Sequence, residues 1–297
     1  MITNTVFFGT HQFSIFALQV LKNNPNINLV AIVTTKDKKI GRKQVLTVNP
    51  VKKWAIENNV KVIEFNKSKD ILEKLAPEKV ELGIITYFGY LIPKPVINKF
   101  NKGILNIHPS LLPHYKGAAP LEWAIINGET TTGVTIIKIN EEFDKGEIVV
   151  QKKLQLDYTK SKKEIYKNLF NKGAKLLQKT LDNYLKGKIT LIPQGNSTKT
   201  APKLTKENGF IDLLNTDTSL LQRKIMALNP WPGTYTTLQN IAKYYNQTPI
   251  KNPNLKIKLI SLATQQHQTP QVRLNTLQPE GKNIMSLQEF KNGYLKN

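Results

Sequence analysis

Residues 104–113 read Ile104-Leu105-Asn106-Ile107-His108-Pro109-Ser110-Leu111-Leu112-Pro113, an apolar run that ends on two polar side chains and then on prolines. Residues 104–107 read as a buried strand. Side chains alternate across a strand, so Asn106 and His108 share one side, about 6–7 Å apart along it. An amide donor and an imidazole facing one pocket both hydrogen-bond a carbonyl oxygen as it becomes an oxyanion. Pro109 and Pro113 pin the chain beyond, which favours a rigid loop that presents backbone groups to a ligand. The chain has only four histidines, so one at a strand end beside an asparagine carries information.

Upstream, apolar runs at 5–8, 29–33, 60–63 and 82–86 read as further strands. Between them lie helical patterns: Phe13, Phe16, Ala17, Val20 and Leu21 on one face, a start at Asn49-Pro50, and a segment near 70–75. Strand, helix and strand repeated at this spacing imply right-handed crossovers and an open, mostly parallel, Rossmann-like α/β sheet. In such a sheet the ligand crevice lies at the carboxyl ends of the strands, where strand order switches. Gly9-Thr10 closes the first strand without a GxGxxG, so a dinucleotide fingerprint is missing. Tyr87-Phe88-Gly89-Tyr90-Leu91-Ile92-Pro93 follows another strand and offers aromatic surface. Residues 134–139 and 147–153 read as a late β pair, and 162–185 as a long amphipathic helix with Ile165, Leu169, Leu176, Leu177 and Leu181 inward.

The organisation changes after the long helix. Residues 1–187 read as one catalytic-size α/β domain and 188–204, rich in Thr, Pro, Gly and Lys, as a basic linker. Residues 205–297 hold one helix at 220–227 and β-like runs at 233–238, 255–262 and 271–277, the pattern of a small β-barrel or sandwich.

Forty-three Lys+Arg against 21 Asp+Glu give a net charge of +22 over 297 residues, a field that attracts polyanions such as nucleic acid. Only three of the basic residues are arginines, Arg42, Arg223 and Arg273. Residues 36–43 hold five basic side chains and one acid, and 152–188 hold eleven lysines against three acids. That basic trail, continued into the second domain, suits a phosphate backbone. The absence of cysteine excludes a disulfide framework, a thiolate metal site and a cysteine nucleophile. No apolar run approaches the roughly 20 residues of a membrane span, and no signal peptide precedes the first strand. A soluble intracellular chain is the expectation.

Asp144 lies in Asn140-Glu141-Glu142-Phe143-Asp144-Lys145-Gly146, between the two late β segments. Folded beside His108 it would orient the imidazole, hold it cationic, or take a proton from an amine through water. Asn, His and Asp without a Ser or Cys nucleophile favour direct acyl transfer through a tetrahedral intermediate.

Together, Phe8-Gly9-Thr10, the Asn106 to Pro113 run with Gly117-Ala118-Ala119-Pro120, and Asp144-Lys145-Gly146 resemble the 10-formyltetrahydrofolate-dependent formyltransferases. Within that group the chain is similar, over nearly its whole length, to the members that act on initiator methionyl-tRNA. The resemblance implies Asn106, His108 and Asp144 as the catalytic set and an OB-like C-terminal barrel that binds tRNA. It implies that Ser110, Leu111, Leu112 and Pro113 line the tetrahydrofolate site. Tyr87, Phe88, Gly89, Tyr90, Leu91 and Ile92, with Asn140 and the loop to Asp144, would flank the pterin. Lys36, Lys38, Lys39, Arg42 and Lys43 are similar to a basic loop that those members insert at the acceptor stem. The donor is a carbon carrier, so neither metal nor nucleotide cofactor is required, and a monomer is expected.

Three places depart from the family pattern. His11 stands where Pro is usual, Glu142 where the loop before Asp144 normally has Gly, and the connection 262–271 is short. A Glu at a position needing positive φ would disturb the pterin loop. The alternative activity is N-formyl transfer to a sugar nucleotide or another small amine, which would not need the 36–43 loop.

Overall fold

The computed structural model describes residues 2–40, 44–262 and 274–296. The chain divides into two compact units, residues 1–121 with 130–202, and residues 122–129 with 203–297.

In chain order, the first unit begins with β1 (Thr3–Gly9), α1 (Ile15–Lys22), β2 (Ile27–Thr35), the short hairpin β3 (Lys38–Ile40) and β4 (Val45–Thr47), and α2 (Pro50–Glu57). It continues with β5 (Val62–Phe65), α3 (Asp70–Leu75), β6 (Leu82–Thr86), α4 (Lys94–Ile97), β7 (Ile104–His108) and β8 (Lys116–Gly117). It ends with β9 (Thr131–Lys138), β10 (Glu147–Gln155), α6 (Lys162–Leu185) and β11 (Thr200–Ala201), while α5 (Pro120–Ile126), which precedes β9 in the chain, belongs for the most part to the second unit. Seven strands make one sheet in the order β10-β9-β7-β6-β1-β2-β5. The β5-β2-β1-β6-β7 half is parallel, whereas β9 runs antiparallel to both β7 and β10. The expected mostly parallel α/β sheet is therefore present.

Near-continuous Val, Ile and Phe runs form these strands because both sheet faces are covered. All five residues of β6 are buried. On one face Val6, Phe8, Val33, Ile63, Phe65 and Ile85 pack with Ile71 and Leu75 of α3. α6 begins on a capping box, Ser161 with Glu164, and buries Ile165, Leu169, Phe170, Leu177 and Leu181, with Leu176 at the margin. It comes close to the sheet through Gly173, where a Cβ would lie 2.5 Å from Ile107 Cγ2 and 3.0 Å from Val134 Cγ2. The helix is thus seated directly behind the strand that carries Asn106 and His108.

One strand lies two residues later than its apolar run suggests. Val60 N–H is spent on Ala55 O of α2 at 2.9 Å, and Asn59 takes φ 53, so extended pairing starts only at Val62. The predicted start at Asn49-Pro50 is as expected: Asn49 Oδ1 accepts from Val51 N at 2.9 Å. Lys52 sits between Asp37 (2.9 Å) and Glu64 (3.0 Å), anchoring the base of the basic hairpin.

The second unit contains α7 (Thr218–Leu228), β12 (Thr234–Thr237), α8 (Leu238–Tyr244), β13 (Thr248–Pro249), β14 (Lys256–Leu262), β15 (Leu274–Pro279), β16 (Met285–Ser286), α9 (Leu287–Tyr294) and β17 (Leu295–Lys296). An antiparallel sheet β12-β14-β15-β16 closes over Ile211, Leu221, Ile241, Ile257, Leu259, Leu277 and Phe290. This small barrel-like unit carries two helices, α8 and α9, beyond the one read from the sequence. The short connection at 262–271 lies almost wholly outside the described residues. Among the described residues no helix is long and apolar enough to cross a membrane.

Candidate active site

Strand order reverses beside β1: its successor β2 lies on one side and β6 on the other. Register sets Gly9 level with Thr86, and Thr86 level with Ile107. The loops after β1, β6 and β7 therefore leave the sheet together at the switch point, where α/β proteins hold ligands. Ser14 Oγ donates to Thr86 O at 2.7 Å, and Thr10 Oγ1 to Tyr87 O at 2.9 Å, tying the first two loops.

β7 delivers Asn106, half-buried, and His108, buried, to one face of the sheet. Asp144 reaches them by an indirect route. β9 ends beside the start of β7, with Ile139 N–H on Ile104 O at 2.9 Å, and the following loop folds back along the strand. The Asp144 carboxylate then meets three donors. Oδ1 lies 3.3 Å from Asn106 Nδ2 and 3.4 Å from His108 Nδ1, and Oδ2 accepts from Gly117 N at 3.0 Å. The imidazole and carboxylate side chains are only 5% and 10% exposed. His108 Nε2 stands 3.2 Å from Tyr115 O. Both ring nitrogens thus face acceptors.

Backbone strain gathers here. Of six non-glycine residues with positive φ among the described residues, Tyr87 (53), Tyr115 (60) and Asp144 (53) belong to these loops. Such conformations cost of order 1–3 kcal/mol each and persist where surrounding structure enforces them. In the loop before Asp144 the left-handed residue is Asp144 itself, a type that tolerates αL. Glu142 is not among the positive-φ residues, so its replacement of glycine brings no such strain.

The expected folate contacts divide. The Ser110–Pro113 turn is fixed by Thr135, whose hydroxyl donates to Ser110 O at 2.7 Å and accepts from Leu112 N at 3.1 Å and Gln151 Nε2 at 2.9 Å. Ser110 and Leu112 are buried, Leu111 and Pro113 half-buried. Along 87–92, Tyr87, Gly89 and Leu91 are exposed and Tyr90 half-buried. Phe88 and Ile92 instead point into the core, Phe88 edge-on to Phe8 at 5.6 Å. Asn140 is exposed, and its Oδ1 accepts from Glu142 N at 3.0 Å. His11 caps the turn after β1, stacks on Tyr87 at 4.3 Å, and is pushed down to about 4 by burial, with Lys163 adding to the shift.

Of the basic loop, Lys36 is exposed, and Lys38 and Lys39 lie in β3, paired with Thr47 and Leu46. Arg42 and Lys43 lie outside the described residues. Sequence reasoning missed Thr135, Gln151, Tyr115 and Gln194, and named Gly117 without its hydrogen bond to Asp144. The first two face Ser110–Leu112 from neighbouring strands, and no local pattern marks them.

The formyl transferase family matches residues 3–181, and its C-terminal domain matches residues 203–295. The chain belongs to the formyl transferase family. It is 33% identical over 299 residues to the methionyl-tRNA formyltransferase of Thermodesulfovibrio yellowstonii, spanning 99% of this chain and 96% of that protein. It is 32% identical over 306 residues to the methionyl-tRNA formyltransferase of Pediococcus pentosaceus, spanning 98% and 94%. Among solved structures, the N-formyltransferase of Helicobacter canadensis, in complex with folinic acid and dTDP-3-aminofucose, shares the fold at TM-score 0.60, with 22% identity over 89% of each chain.

Proposed function

We propose that the chain transfers the formyl group of 10-formyltetrahydrofolate to the α-amino group of methionine on initiator methionyl-tRNA, for translation initiation in the cytoplasm. The observation that carries this reading is similarity to methionyl-tRNA formyltransferases along 99% of the chain, both units included. Among the described residues no cluster of three or more metal-ligating side chains forms, and the reading requires no metal.

In this reading the neutral amine attacks the formyl carbon, forming the C–N bond. Asn106 donates to the oxygen that becomes an oxyanion, and His108 Nε2 exchanges Tyr115 O, 3.2 Å away in the structure, for the same oxygen, in a site dry enough to strengthen both bonds. Asn106 has a second amide hydrogen for this, beyond the one directed at Asp144. Asp144 orients His108 and accepts the proton that the amine loses, through water. The intermediate then collapses as the bond to the folate nitrogen breaks and that nitrogen takes up a proton. Ser110–Pro113 and the exposed Tyr87, Gly89 and Leu91 hold the folate. Lys36, Lys38, Lys39, Arg42 and Lys43, with the C-terminal unit, follow the RNA backbone.

The test is formyl transfer from 10-formyltetrahydrofolate with initiator methionyl-tRNA and an amino-sugar nucleotide as competing acceptors. Formylated methionine on tRNA is the expected product. Formylated sugar alone would overturn the acceptor assignment, and free formate with neither acceptor used would overturn transfer altogether.

A further inference from the structure

Residues 192–201 lie across the catalytic loop. Ile192 exchanges both backbone hydrogen bonds with Ile148, at 2.8 and 2.9 Å, just beyond that loop. Gln194 then points its amide into the loop, with Nε2 donating to Asp144 O at 2.8 Å and Gly146 O at 2.6 Å. Further on, Ser197 Oγ meets His114 Nδ1 at 2.7 Å, and Tyr115 N donates to Lys199 O at 2.7 Å. Thr200–Ala201 finally pairs in parallel with Lys116–Gly117. The approach is so close that a Cβ on Gly117 would lie 2.3 Å from Ala201 O.

These contacts hold both parts of the site that lie outside the seven-stranded sheet. Asp144 sits on a loop that doubles back over β7 in a left-handed conformation, φ 53. Its carboxylate is steered by Gly117 N, which is itself in register with Ala201. Both acceptors of Gln194 are carbonyls, which fixes the amide with nitrogen inward. Its Oε1 is buried with no hydrogen-bond partner among the described residues. Burying an unmet acceptor is unfavourable, so the side chain is held there for its two donations.

Resting on the formyl-transfer reading, we infer that Gln194 is a positioning residue: from the strap 192–201 it clamps the Asp144–Gly146 backbone and so sets the carboxylate against Asn106 and His108. It touches no reacting atom and acts only through Asp144. Displacing a catalytic group by about 1 Å costs up to roughly 100-fold.

The experiment is a double-mutant cycle of Gln194→Met, similar in size without donors, and Asp144→Asn, each alone and combined. Formyl-transfer kcat and KM for both substrates are measured beside thermal unfolding of each full-length variant. Gln194→Met should lower kcat about 10-fold or more while both KM values stay near native, and should add less than about twofold in the Asp144→Asn background. A native kcat in Gln194→Met would overturn the inference, as would an equal loss in both backgrounds, the mark of a general structural role. An unsubstituted protein inactive with every acceptor would instead sink the formyl-transfer reading on which the inference rests.

Discussion

Replacing Asp144 by Asn changes little in shape and much in hydrogen bonding. Every group that faces the carboxylate is a donor: Gly117 N at 3.0 Å, Asn106 Nδ2 at 3.3 Å and His108 Nδ1 at 3.4 Å. An amide keeps one oxygen. Turned towards Asn106 and His108, it sets its own N–H₂ against Gly117 N–H; turned the other way, it faces two donors at once. At least one charge-assisted bond is lost, about 1.5–3 kcal/mol. The negative charge beside the imidazole disappears as well, in a site where the two side chains are only 5% and 10% exposed. A combined loss of about 3–4 kcal/mol in the transition state corresponds to roughly 10²–10³ in rate. The assay is kcat for formyl transfer with both substrates saturating, with the melting temperature as the control for folding. A folded Asp144→Asn protein within about threefold of native kcat, a difference below 1 kcal/mol, would refute the role assigned to the carboxylate.

Asn106→Ala and His108→Ala should each lower kcat by roughly 10²–10³, as for removal of other oxyanion donors; circular dichroism should show an unchanged fold, and near-native turnover would remove that residue from the site. Gly173→Ala should cost about 1–3 kcal/mol in urea unfolding, because its methyl would press on Ile107 Cγ2 at 2.5 Å; undiminished stability would mean that the helix is not seated as closely as described. Burial holds His11 near 4 in the folded state, against about 6.5 unfolded, so unfolding takes up a proton between those values. His11 therefore adds acid sensitivity, with stability falling as pH drops from about 6.5 towards 4. His11→Asn keeps a capping acceptor without the titration, and should lose less melting temperature on acidification than the native chain. An equal loss would contradict this account.

The parallel sheet was legible because strands covered on both faces must be apolar throughout, and Leu82–Thr86 and Ile104–His108 leave no helical alternative. Asn106 and His108 were legible for the same reason, since alternation along a strand fixes their common side. Asp144 could be named but not placed: what joins it to His108 is a loop that doubles back over β7, and long-range return of that kind has no local periodicity. The segment around Gln194 was read as linker because it is rich in Pro, Gly and Thr, yet the backbones of Ile192, Lys199 and Ala201 hydrogen-bond to Ile148, Tyr115 and Ala119. Composition reports the lack of regular structure and is silent about which neighbour supplies the hydrogen bonds. The helices α8 and α9, with 7 and 8 residues, were too short for a recurring apolar face to stand out.

The strap also sets a clock on the newborn chain. Asn106, His108 and Asp144 all leave the ribosome well before the residues that clamp them, and Ala201 follows Asp144 by almost sixty positions. At the usual 5–20 residues per second this is a delay of about 3–12 s. During that interval a nascent polypeptide carries Asn106, His108 and Asp144 without the contacts of the strap. Activity is then expected as a late event of synthesis, and a translation product ending at Leu185 would carry Asn106, His108 and Asp144 without Gln194 and without the contacts of Lys199 and Ala201.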